Sequence, residues 1–120
     1  MPSESKIGGP IMSYPRSPDI EAIVSLLSTA EGGRSMPARS GYRPQHRLPT
    51  DYQTSGMHQY IDTDELAPGE SARATIVFVT PEAYPNSIRA GDVLDVMEGG
   101  RILGHATVLR VLNASLERQL

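Results

Sequence analysis

The chain has 120 residues, with 38% apolar and 21% charged positions and a net charge of -3. That is enough for one domain with a core of its own. The absence of cysteine excludes a disulfide scaffold, a zinc ribbon and a thiol nucleophile. The acidic balance argues against attachment to nucleic acid by bulk charge.

Residues 1–18 carry Gly8-Gly9-Pro10, Pro15 and Pro18 with few apolar anchors, so they are expected to form a flexible tail. From Asp19 the character changes. Ile20, Ala22, Val24 and Leu26 alternate with other residues, and the β-branched content before Gly32-Gly33 favours a strand over a short helix for Ile20–Leu27. Between Gly32 and Pro49 four breakers leave room for one short strand, near Tyr42–Leu48, and Tyr60-Ile61-Asp62 reads as another extended piece. Ala67-Pro68-Gly69-Glu70 has Pro and Gly where a type II turn wants them. Ala72–Thr80 is the clearest strand, and Pro81–Asp92 is a long turn.

Val93–Glu98 then meets Gly99-Gly100, a two-residue hairpin signal, and Arg101–Leu112 alternates again with Ile102, Ala106 and Val108 on one parity. Six short strands and no convincing helix predict an all-β, six-stranded antiparallel closed β-barrel over residues 19–113, with a tail at 114–120. Gly33, Gly99 and Gly100 are expected at tight turns with positive φ, and Pro44 at a strand edge or bulge.

Catalytic motifs are absent: there is no phosphate loop, no dinucleotide fingerprint and no nucleophile elbow. His46, His58 and His105 are far apart in sequence. His58 with Asp62 and Asp64 reads as solvated turn residues rather than a metal site, and Asp92 and Asp95 read as turn and strand-surface acids. The expectation is a protein that is not an enzyme and takes no metal or cofactor. No apolar run approaches the roughly 20 residues that cross a bilayer, and the polar opening Met1–Lys6 precedes no apolar leader segment. A cytoplasmic setting with no membrane partner is expected.

Three segments carry a resemblance. Glu31-Gly32-Gly33-Arg34 is followed by Pro37 and by Gly41-Tyr42-Arg43-Pro44-Gln45. Pro68-Gly69 then precedes the best strand, and Glu98-Gly99-Gly100-Arg101 precedes Gly104 and Val108–Asn113. In this order and spacing, over about residues 20 to 113, the chain resembles the third, C-terminal β-barrel domain of bacterial elongation factor Tu. The resemblance implies a barrel that touches a GTPase domain, an exchange factor and the T-stem backbone of aminoacyl-tRNA. It places T-stem contacts on Gln45, Ser55, Glu98 and Gly99.

The chain departs from that pattern where the family strand before the second Gly-Gly-Arg is rich in Arg and Phe. Here it reads Asp92-Val93-Leu94-Asp95-Val96-Met97, and added carboxylates repel a phosphate backbone. The expected function is therefore a stand-alone, non-catalytic interaction module linked to the translation machinery, with no DNA partner. Its partner would be an exchange factor, a GTPase domain or a factor-targeting protein. The runner-up is a tRNA-binding module that uses the Gly99-Gly100 hairpin and the Arg34–Arg47 segment, where Arg34, Arg39, Arg43 and Arg47, four Arg within 14 residues, are interleaved with Tyr42 and His46 for stacking. Candidate binding residues are Arg34, Tyr42, Arg43, Gln45, Ser55, Glu98, Gly99 and Arg101.

Overall fold

The structure, a computed structural model, describes residues 17–119. The tail expected at 1–18 lies, apart from Ser17 and Pro18, outside the described residues. Eight strands follow in chain order: β1 Ile20–Leu26, β2 Ala38–Arg39, β3 Gln45–Arg47, β4 Gln53–Tyr60, β5 Glu65–Leu66, β6 Ser71–Phe78, β7 Val93–Glu98 and β8 Arg101–Val111. Six of them close a barrel in the order β1-β6-β4-β3-β7-β8, with β8 returning to β1. Every neighbouring pair is antiparallel. The expected fold class is thus the one observed. A barrel this narrow has no lumen, because inward side chains fill it. Strands β2 and β5 form a separate two-stranded ribbon.

β1 shows why the alternation selects a strand. Ile20, Ala22, Val24 and Leu26 all face the core, whereas a helix would have spread them around its surface. They meet Ala74, Ile76, Phe78, Leu94, Val96, Ala106 and Val108 from the other staves. Glu21 is the exception on the outer face, with only 6% of its surface exposed. Arg73 of β6 and Arg110 of β8 clamp its carboxylate at 3.2 and 2.9 Å, stitching three strands together.

Four expectations need correction. The extended piece at Tyr60–Asp62 is the end of a strand that starts at Gln53. β4 was hidden because its inward residues are Thr54, Gly56, His58 and Tyr60, a polar-to-small series that does not alternate in hydropathy. The strand near Tyr42–Leu48 shrinks to the three residues of β3, since Pro44 and Pro49 bracket it and lack donors.

The parity of β8 is broken by irregularities opposite Val96/Met97 and Glu21/Ala22. Leu103 is therefore buried, while Ile102 is 38% exposed. Gly33 does not sit at positive φ; Gly32 does, at +96°. A Cβ on Gly33 would lie 2.3 Å from the Leu27 carbonyl oxygen, so close backbone approach is what requires glycine there.

The turns elsewhere behave as their residues dictate. The Glu70 amide donates to the Ala67 carbonyl at 3.0 Å, with Gly69 at φ +87°. Gly99 and Gly100 take φ +57° and +80° between the paired residues Glu98 and Arg101, a type I′ hairpin. Pro44 lies just before β3, and its carbonyl accepts the Gly56 amide at 3.1 Å. The stretch set aside as a tail at 114–120 packs against the barrel wherever it is described. Leu116 is fully buried, and Arg118 reaches Asp92 with two hydrogen bonds of 3.0 Å.

Candidate interaction site

Arg34 and Tyr42 lie more than fifty residues from Glu98 and Arg101 in sequence and beside them in space. Three local devices bring them together. The Ser28 capping box and Gly32 turn the chain sharply after β1 and aim Arg34 back across the barrel end. The Gly41 turn, with the Tyr42 amide donating to the Arg39 carbonyl at 3.0 Å, presents Tyr42. The Gly99-Gly100 hairpin holds Glu98 and Arg101 on facing strand ends.

Glu98 is the centre of the arrangement. One of its carboxylate oxygens accepts both the Arg34 guanidinium and the Tyr42 hydroxyl. The same guanidinium lies 4.7 Å above the Tyr42 ring, a cation–π contact, and donates to the Met36 carbonyl at 3.0 Å. Burial, followed by the hydrogen bond and charge of Glu98, raises the Tyr42 pKa, so this hydroxyl stays a donor. Burial works against the Arg34 charge, but Tyr42 and Glu98 more than offset it and its pKa moves up. Arg101 extends over the Gly32 carbonyl at 3.2 Å. Arg34, Ser35, Met36, Glu98 and Arg101 surround a shallow concavity of about 180 Å³. Met36 stands at its rim with 65% of its surface exposed.

Gln45 and Ser55 form a second group on the outer wall. They are directly opposed on β3 and β4, and the Gln45 amide donates to the Ser55 hydroxyl at 3.2 Å. Gln45 also faces Met97 of β7. Arg43 is exposed on the segment between Tyr42 and β3. Gly99 sits at the hairpin tip with nothing within 4 Å of where a Cβ would be.

The stacking role read for His46 does not fit its place in the fold. His46 is fully buried in the barrel, and Tyr42 is committed to Glu98. Within the Arg segment, Arg34 pairs with Glu98, Arg39 with Glu65 at 3.6 Å and Arg47 with Asp95 at 3.7 Å. His105 approaches the other oxygen of Asp95 at 3.7 Å. Asp92 accepts the Arg89 amide as well as Arg118. The two acids that set this chain apart are therefore both partnered.

His58 points inward, away from the exposed Asp62 and Asp64. What sequence reasoning missed is that His58 meets His46, because the β3–β4 register that joins them was invisible without β4. It also missed Met36, which only the fold places beside Glu98 and Arg101. No family model matches the chain.

Proposed function

We propose that this chain is a non-catalytic interaction module that docks a protein of the translation machinery: an exchange factor, a GTPase domain or a protein that targets the elongation factor. The link to translation rests on the resemblance to the third domain of elongation factor Tu. The docking surface is the barrel end that carries Arg34, Met36, Tyr42, Glu98 and Arg101. A single observation carries the protein reading over the RNA reading. Beside a methionine left 65% exposed, three of the four clustered arginines already hold carboxylate partners. Arg, Met and Tyr are the side chains enriched at protein interfaces, whereas neutralised arginines release few counterions from a phosphate backbone.

Titration of the immobilised chain with purified exchange factor and with the purified GTPase domain tests this reading. The expected result is saturable binding by one of them, weakened at least about tenfold by Met36→Asp or Arg101→Glu. Binding by neither would sink it. The tRNA reading keeps support from Gln45, Ser55, Gly99 and Arg43, which line the exposed side of the same wall and hairpin. It requires tRNA affinity that falls steeply with salt and is reduced by Gln45→Ala and Arg43→Ala.

A further inference from the structure

The barrel interior holds two imidazoles in direct contact. His46 is the middle residue of β3 and His58 points inward from β4; both are fully buried. Their Nε2 atoms are 2.8 Å apart, so one carries the proton and the other accepts it. The His46 Nδ1 lies 3.4 Å from the Thr54 carbonyl, which can only accept. That assigns the proton of His46 to Nδ1 and leaves its Nε2 as acceptor from His58. The His58 Nδ1 is then a bare acceptor, buried and without a partner among the described residues.

We propose that the His46–His58 pair is a proton-operated latch on the barrel wall, which opens β3 away from β4 in acid and takes the Tyr42–Glu98 contact with it. The geometry offers a second proton two places, and neither is tolerated. On the His46 Nε2 it sets two N–H groups against each other at 2.8 Å and breaks the bond. On the His58 Nδ1 it creates a buried cation whose new N–H has no acceptor among the described residues.

The surroundings provide no relief. Tyr42 meets His58 edge-on at 5.6 Å, Tyr60 flanks it at 6.1 Å with a hydroxyl that is itself unpartnered, and Phe78 of β6 meets His46 at 5.6 Å. From β7 the facing residue is Val96. Beyond this shell, Thr54 is held by Tyr84, Glu98 by Arg34 and Tyr42, and Asp19 by the Phe78 amide. Among the described residues the polar partners of His46 are His58 and the backbone carbonyls of Thr54 and Pro44, whose support burial outweighs. Gly56 blocks rearrangement, since even a Cβ there would be 3.0 Å from the His46 ring.

The stave that carries His46 is also the shortest of the six. β3 pairs over three residues on each side, whereas β1 pairs with β8 over seven. It is bracketed by Pro44 and Pro49, and Tyr42 lies just ahead of it. Burial holds His46 down to about 4, and burial followed by the charge of His46 holds His58 well below the ordinary imidazole range. With both folded values depressed, the latch is fully closed above the unfolded value near 6.5. It loosens as pH falls from there toward the folded values. Two protons taken up on opening change the open fraction by up to about 100-fold per pH unit. This holds whatever the site binds.

The test uses the whole chain from pH 7 to pH 4, with imidazole nitrogen NMR and amide hydrogen exchange. Both rings are expected to keep neutral tautomers for as long as the barrel is intact, with a proton on the His46 Nδ1. Amides across the β3–β4 pair, corrected for intrinsic rates, are expected to open in acid before those across β1–β8. Protonation of either ring in a barrel whose β3 amides remain protected overturns the proposal, as does β3 protection that is flat over this range. In the double variant His46→Gln/His58→Gln the acid dependence of β3 opening is expected to become shallower, and unchanged steepness overturns the proposal too. Should that variant not fold, the two wild-type measurements decide.

Discussion

Two adjacent glycines separate two reasons for being glycine. Gly32 takes φ +96° with nothing within 4 Å of a would-be Cβ, so alanine there meets only the left-handed backbone penalty, about 1 kcal/mol. Gly33 has an ordinary φ, but its Cβ would enter the Leu27 carbonyl at 2.3 Å and the Ser28 carbonyl at 2.8 Å. Backbone cannot rotate aside as a side chain can. Gly33→Ala is therefore expected to cost about 3 kcal/mol in urea unfolding and Gly32→Ala about a third of that. Equal costs would refute the distinction.

Asp19 sets a comparable test. One carboxylate oxygen accepts the Phe78 backbone amide at 2.7 Å and the other the Asn113 side-chain Nδ2 at 2.8 Å, with 1% of the residue exposed. Asp19→Ala strands two donors and is expected to remove about 2–4 kcal/mol of stability. A loss below about 0.5 kcal/mol would show that Asn113 repartners freely.

At the level of elements, legibility followed whether chemistry and period agreed. β1, β6 and β7 were readable because their inward positions are apolar, even though Ile23, Val77 and Val93 stand on the outer parity. The Gly99-Gly100 hairpin was readable because two positive φ values in succession leave few residue types to choose from. β4 was not, because Thr54 and His58 occupy core positions and hydrogen-bond inside the barrel, to Tyr84 and His46. The ribbon β2–β5 was not, because two residues are too short to show a period.

The candidate site was half legible. The motif residues Arg34, Tyr42, Glu98 and Arg101 do converge, yet sequence could not show that Glu98 is already taken by Arg34 and Tyr42. The hairpin gives the element-scale prediction. Gly100→Ala keeps the strands but forces a Cβ into φ +80°, and Gly99→Asn places a residue that tolerates φ +57°. Thermal unfolding should show Gly100→Ala lower by about 1 kcal/mol and Gly99→Asn near wild type. The reverse order would mean that the tip is not a type I′ turn.

Across the whole molecule, the C-terminal segment and the candidate site lie at opposite ends of β7. The segment closes the end at Asp92. The Ser87 and Ile88 amides donate to the Leu116 carbonyl at 2.9 and 3.0 Å, and the Arg118 amide returns to the Ile88 carbonyl at 2.7 Å. Leu116 plugs the core, and Arg118 grips Asp92 with both terminal nitrogens. Glu98 ends β7 six residues later, roughly 20 Å away at the usual strand rise.

Deleting residues 114–120 removes a buried leucine and a bidentate ion pair, together about 3–5 kcal/mol. For a domain of this size that should lower the melting temperature by more than about 10 °C. The deletion leaves Arg34, Tyr42, Glu98 and Arg101 with all their mutual contacts. Partner affinity measured well below the new melting temperature should therefore stay within about twofold of the full chain. Affinity lost in proportion to stability would mean that the two ends of the barrel are coupled, and that the site depends on the closure at Asp92 rather than on the hairpin beside it.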